Sequence, residues 1–159
     1  MITCINTKTV KKGSAIQDIQ CELPDLHPPS EGIKDILDKC NKIAIVGISP
    51  KEQRISNKVA RHLIGKGYEI IPINPGQRNI LGKPCYKMLK DIPFPIDMVN
   101  LFVNSARVPP FVDQAIELEV YAIWMQSGIT HTKSAEKAKK RGIQVVMDKC
   151  IMKECQEID

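Results

Sequence analysis

The residues best suited to bind a ligand lie in one predicted turn. The apolar run from Ile43 to Ile48 is typical of a short buried strand, and Gly47 and Ser49 stand at its exit, before a helix predicted to begin at Ser56. In parallel α/β sheets a phosphate binds at this junction, because glycine lets the backbone approach closely and the helix N-terminus offers free N–H groups. The turn therefore predicts a site for the phosphates of a nucleotide-like ligand.

Strands and helices alternate along the rest of the domain, and this alternation predicts βαβ units and a parallel sheet. We predict a Rossmann-like, doubly wound α/β domain over residues 31–159, with five parallel strands in order 3-2-1-4-5 and helices on both faces. The predicted strands are 43–48, 68–73, 97–103, 121–125 and 143–147. Between the second and third strands we expect a polar loop over 77–85 and a short helix over 86–90, and after the fifth strand only a tail.

Residues 1–30 lack a clear periodicity and end near Pro28-Pro29, so they form a predicted N-terminal extension. A loosely attached tail is the favoured interpretation. An arm that covers a neighbouring subunit is the alternative, and a homo-oligomer is therefore possible.

Composition excludes several classes of function. No apolar run approaches the length of a membrane span, and no signal peptide is evident, so a cytoplasmic protein without membrane contact is the default expectation. The net charge of +5 is mild, and its one basic cluster, 137–141, suits a solvated helix end better than a nucleic-acid site. The six cysteines and three histidines show no zinc-binding spacing, so we expect no metal site.

In such sheets the ligand binds beyond the carboxyl ends of the strands. The residues at the predicted strand exits are polar, small or basic, and they include no paired acids. Along the chain they are Gly47, Ile48, Ser49, Arg54 and Lys58, then Asn74, Pro75 and Arg78, then Asn104, Ser105 and Arg107, then Gln126, Ser127 and Gly128, and finally Asp148, Lys149 and Cys150.

The dinucleotide fingerprint is absent from this chain. The pattern Gly-x-Gly-x-x-Gly is replaced by 47–52, and Asn74 follows the second strand where an acidic residue would hold a ribose 2′-hydroxyl. Both departures argue against NAD. Arg78 could serve a phosphorylated ribose, so NADP stays open.

Six stretches together carry a family resemblance. They are 45–49 (IVGIS), 56–60 (SNKVA), 71–75 (IPINP), 81–86 (LGKPCY), 123–128 (IWMQSG) and 146–151 (VMDKCI). Over about residues 40–155 their order and spacing resemble the small stand-alone CoA-binding-domain proteins, which are related to the CoA-binding domain of the succinyl-CoA synthetase α subunit. The resemblance implies a Rossmann domain that binds coenzyme A or an acyl-CoA. It does not imply catalysis, because the stand-alone members lack the synthetase partner domains.

Carried over by position, the resemblance also implies roles for individual residues. The turn Gly47-Ile48-Ser49 would contact the pyrophosphate, with added charge from Arg54 and Lys58. The other implied contacts are Asn74, Pro75 and Arg78 by the adenosine and its 3′-phosphate, Val103 and Asn104 at the middle of the ligand, and Gln126, Ser127 and Gly128 along the pantetheine. Cys150 would lie near the ligand thiol, and we hypothesise a reversible mixed disulfide between the two thiols under oxidising conditions. The alternative is a buried, inert cysteine.

The leading functional hypothesis is a non-catalytic or regulatory CoA-binding protein. The enzyme alternative is an NADP-binding oxidoreductase or a ligase-like subunit that needs a partner chain, and a third possibility is an interaction module with a vestigial site. Gly47 could also be a plain turn glycine. If it contacts the ligand, Gly47→Val should block binding and leave much of the fold intact.

Overall fold

Five parallel strands form the central sheet of the computed structural model, which describes residues 30–159. The predicted extension over 1–30 lies outside the described residues, apart from Ser30, where the first helix begins. The helices are α1 (Ser30–Lys39), α2 (Ile55–Gly65), α3 (Val108–Glu117), α4 (Thr132–Lys140) and α5 (Ile151–Ile158). The strands are β1 (Lys42–Val46), β2 (Glu69–Ile73), β3 (Asn79–Ile80), β4 (Lys83–Pro84), β5 (Met98–Leu101), β6 (Ala122–Met125) and β7 (Gln144–Val146).

The sheet has the order β2-β1-β5-β6-β7, and each neighbouring pair is parallel. This confirms the predicted Rossmann-like α/β class. Outside β2, the backbone at Tyr86 forms a single parallel bridge with Ile73. The order 3-2-1-4-5 is matched when this segment is counted as the third strand. The stretch 97–103, which the sequence assigned to that edge, contains β5 and lies instead between β1 and β6.

Helices cover both faces of the sheet, as predicted. Alternate residues of a strand point to opposite faces, so each strand feeds two apolar clusters. One cluster joins the sheet to α3 and α4 through residues such as Val112 and Ala135. The other joins it to α1, α2 and α5 through residues such as Ile36, Leu63 and Ile151. Both faces of the inner strands are therefore buried, which explains their continuous apolar sequences.

Two predicted segments differ from the structure. The tail after the fifth strand contains α5, whose Ile151 and Cys155, one helical turn apart, are buried against the sheet. The polar loop over 77–85 contains the β3–β4 hairpin, which turns at Leu81 and Gly82, both with positive φ, as tight hairpin turns require. The two-residue strands of the hairpin are too short to show a periodicity, and charged residues interrupt the apolar pattern of α5.

The predicted short helix at 86–90 is also displaced. A single 3-10 turn at Leu89–Asp91 stands there instead, and Tyr86 is drawn into the bridge to β2. The carboxyl end of β1 thus lies between the exits of β2 and β5, with α2 on one face and α3 on the other. No helix within residues 30–159 combines the length and the apolar character needed to cross a membrane.

Candidate functional site

Two adjoining cavities share Gly47 at the carboxyl end of β1. The first, here called the α3 cavity, has a volume of about 660 Å³ and lies between the β1 and β2 exits and helix α3. Its walls are Val46, Gly47, Ile73, Asn74, Pro75, Lys87, Met88, Val103, Ala106, Arg107, Pro110, Phe111 and Gln114. The second, the α2 cavity, has a volume of about 350 Å³ and is lined by Gly47, Ser49, Gln53, Arg54, Ile55, Ser56 and Phe102.

Gly47 is fixed by the fold itself. Its φ is +81°, and a Cβ atom there would lie 2.6 Å from the carbonyl oxygen of Phe102. Its N–H donates to the carbonyl of Ile73 at 3.1 Å, so this group already belongs to the sheet. The geometry contradicts the expectation that valine at this position would leave the fold intact, because any side chain would meet backbone atoms of the next strand.

The turn after Gly47 is held by three side chains. Ser56 Oγ accepts the N–H of Ser49 at 3.0 Å, and Asn57 Nδ2 donates to the Ser49 carbonyl at 2.9 Å. From β2, Asn74 Nδ2 donates to the carbonyl of Ile48 at 2.8 Å. Ser56, where the helix was predicted to begin, lies one residue inside α2, and its side chain stabilises the turn. The turn is preorganised for a ligand, since no bond within it needs to form on binding.

The N-terminus of α2 opens into the α2 cavity. The helix starts at Ile55 after an extended Arg54, and it has no side-chain cap and no acid in its first turn. Within the described part of the chain, the N–H groups of Ile55 and Ser56 donate no hydrogen bond. Free N–H groups and the positive helix dipole favour an anion at this point, and the exposed Arg54 adds a full charge.

The α3 cavity combines an apolar wall with two cations. Phe111, Met88 and Val103 contribute the apolar surface, and Lys87 and Arg107 contribute the charge. Neither cation forms an ion pair with any residue of 30–159, and no acidic side chain lines this cavity. Such a cavity suits a flat heteroaromatic group that carries a phosphate.

Lys87 was missed by the sequence analysis because it follows none of the five predicted strands. The bridge between Tyr86 and Ile73 brings it to the sheet edge, and no periodicity signals a bridge of one residue. Arg107 was noted near a strand exit but was not assigned a role. Arg107 ends a 3-10 turn directly before α3, and this position places it in the wall of the α3 cavity.

The sequence-predicted site residues divide into two groups. Those that line the two cavities are Gly47, Ser49, Arg54, Asn74, Pro75 and Val103. Those outside both linings are the buried Ile48 and Gln126 and the exposed Lys58, Arg78, Asn104, Ser127 and Gly128, together with Cys150. The Gln126 amide is engaged inside the fold, since its Nε2 donates to Asn100 Oδ1 at 2.8 Å. The assigned ligand contacts stay predictions.

Cys150 directly precedes α5, and its half-buried side chain packs against the apolar cluster under α1, α2 and α5. The mixed disulfide with the ligand thiol stays a prediction. Burial raises the pKa of Cys40 to about 12 and also raises the pKa of Cys85 and Cys155. These three thiols are protonated at neutral pH and are therefore poor nucleophiles.

Nowhere between residues 30 and 159 do three or more histidine, cysteine, aspartate or glutamate side chains form a group that could hold a metal ion.

Comparison with known proteins assigns the chain to a domain family. The model of the CoA binding domain family matches residues 41–156. The uncharacterized protein YneT of Bacillus subtilis (strain 168) is 36% identical over 125 residues, which cover 79% of this chain and 93% of that protein. A solved structure, a hypothetical protein from Pyrococcus horikoshii OT3, has a TM-score of 0.80 and 35% identity and covers 85% of this chain and 95% of its own.

A larger relative matches over one region only. The ADP-forming acetate–CoA ligase I of Archaeoglobus fulgidus is 28% identical over 119 residues, which make up 69% of this chain and 17% of the ligase. The matches confirm the resemblance seen in the sequence motifs. With the family model covering most of its described residues, this chain belongs to the CoA-binding domain family.

Proposed function

We propose that this protein binds coenzyme A, free or acylated, across the sheet edge at Gly47, and that it does so as a non-catalytic or regulatory protein. The observation that carries the proposal is the pair of cavities that meet at this residue. One offers helix N–H groups and Arg54, and the other offers an apolar wall with Lys87 and Arg107. Membership of the CoA-binding domain family supports the same ligand.

The chemistry of each cavity suits one part of coenzyme A. The pyrophosphate fits the α2 cavity, where the free N–H groups of Ile55 and Ser56 face an anion. The adenosine fits the α3 cavity, and its 3′-phosphate meets Lys87 and Arg107. Gly47 lines both cavities, so the ligand would cross the sheet edge over the backbone of this residue.

The pantetheine arm continues over the exit of β6 in this arrangement. Gln126 contributes no free amide there, because its side chain is bonded within the core. The N–H of Gly128 donates to Asp148 Oδ1 at 2.6 Å, which fixes the shape of the exit turn. The arm therefore lies along a rigid surface provided mainly by Ser127 and Gly128.

The cavity linings favour binding over catalysis. Neither lining contains an aspartate, glutamate, histidine or cysteine. Two hydroxyl groups, those of Ser49 and Ser56, are present, but a serine nucleophile needs an adjacent base. Among the residues that line the two cavities, Lys87 is the one that could exchange a proton, and the proposal assigns it to a phosphate.

Calorimetric titration with CoA, NAD and NADP tests the proposal. We expect CoA to bind at least about tenfold more tightly than NAD. No acidic residue follows β2 to hold the ribose 2′-hydroxyl of NAD, whereas Lys87 and Arg107 can bind the 3′-phosphate that only CoA carries. Equal or tighter binding of NAD would overturn the proposal. Tighter binding of NADP than of CoA would instead support the oxidoreductase alternative.

A further inference from the structure

One residue in the wall of the α3 cavity has a buried side-chain oxygen without a hydrogen-bond partner. Gln114 lies on α3 and lines the cavity, and its Oε1 is buried without a hydrogen bond. A buried acceptor with no donor lowers stability, and such groups are rare in native proteins. The other buried side-chain atoms without a partner in residues 30–159 belong to Asn57, His62 and Asn100, and none of these residues lines either cavity.

The amide of Gln114 presents a planar pair of groups, one donor and one acceptor. Within the described residues no hydrogen bond fixes its orientation. The last torsion of a glutamine side chain is soft, so the amide can turn to match a ligand at little cost. Phe111, one helical turn earlier, and Met88 line the same cavity and supply an apolar surface for a flat ring.

Resting on the proposed function, we infer that Gln114 recognises the adenine base of the ligand. Its Oε1 accepts a hydrogen bond from the exocyclic N6 amino group, and its Nε2 donates to N7. Glutamine forms this bidentate pair with adenine because the spacing and polarity of the two edges match. The phosphates do not compete for this amide, since Lys87 and Arg107 offer them full charges in the same cavity.

Stability and ligand choice should respond differently if Gln114 has this role. Leucine is similar in size and removes the unpaired acceptor, so Gln114→Leu should keep or raise the thermal midpoint of the free protein. A residue that only supports the fold would show the opposite response, with lower stability and equal losses for all ligands.

The experiment compares CoA with its analogue in which hypoxanthine replaces adenine. Hypoxanthine has an acceptor where adenine has the N6 donor, so it can form only one of the two bonds. We expect the natural protein to prefer CoA by about tenfold, and Gln114→Leu to bind the two ligands equally. The control Gln144→Leu, at an exposed position where β7 begins, should retain the preference.

Two results would overturn the inference and leave the proposed function standing. They are a preference for adenine that persists in Gln114→Leu, and equal binding of both ligands by the natural protein. Failure of the natural protein to bind CoA would overturn the proposed function as well. Gln114→Met, which keeps an unbranched side chain, provides the same comparison if the leucine variant does not fold.

Discussion

Gly47→Ala is expected to reduce the free energy of unfolding by on the order of 3 kcal/mol. Two costs add at this position. The φ of +81° is strained for any residue with a side chain, and the new Cβ would lie 2.6 Å from the carbonyl oxygen of Phe102. Relief requires β1 and β5 to separate where they are hydrogen-bonded, since the Phe102 N–H donates to Val46 at 2.9 Å.

Gly142→Ala is the matched control for this prediction. Gly142 has nearly the same φ, +80°, but a Cβ there would meet no atom within 4 Å. Its substitution should therefore cost only the backbone strain, about 1 kcal/mol. Urea titrations of both variants measure the difference, which isolates the contact with Phe102. Equal losses in the two variants would show that the strands absorb the extra atom and would contradict the prediction.

Gly47 also shows how far the sequence could be interpreted. Its place after an apolar strand predicted the strand exit and the parallel sheet correctly. The reason for glycine was not predictable, because the close neighbour is the backbone of Phe102, more than fifty residues away along the chain. A local sequence pattern indicates which backbone conformations a residue can adopt. It does not indicate which atoms of a distant strand pack against that residue.

The same limit applies to the walls of the α3 cavity. The alternation of strands and helices predicted a helix before β6, yet Gln114 was not assigned a role, because helical periodicity does not say which polar residue borders a cavity. The position of Lys87 in the cavity wall depends on the bridge at Tyr86. The helix α5 is stabilised by the burial of Ile151 and Cys155 within an otherwise charged segment. Elements with strong periodicity were predicted, and those fixed by tertiary contacts were not.

Removing both cations of the α3 cavity should weaken CoA binding by roughly thirtyfold, or about 2 kcal/mol. Lys87 and Arg107 are exposed and have no acidic partner among residues 30–159, so in the free protein their charges are available to a ligand. Contact with a phosphate would replace water at each cation by a charge-assisted hydrogen bond. Calorimetry of the double variant Lys87→Ala/Arg107→Ala with CoA measures the loss.

The control for net charge is Lys140→Ala/Arg141→Ala. These exposed residues end α4 just before β7, at the edge of the sheet opposite the site, and their removal lowers the net charge equally. Electrostatic steering by total charge would weaken binding in both double variants. Direct contact between these cations and the ligand would weaken CoA binding only in the Lys87→Ala/Arg107→Ala variant, and this loss of affinity would become smaller as the salt concentration rises.

Dephospho-CoA, which lacks the 3′-phosphate, identifies the group that the cations contact. If Lys87 and Arg107 bind that phosphate, the natural protein binds dephospho-CoA more weakly than CoA. The double variant then binds dephospho-CoA almost as tightly as the natural protein does. If they bind the pyrophosphate, the double variant loses the same factor for both ligands, because the pyrophosphate is common to them. The second pattern would contradict the placement of adenosine 3′-phosphate in the α3 cavity, and it would reverse the direction in which coenzyme A crosses Gly47.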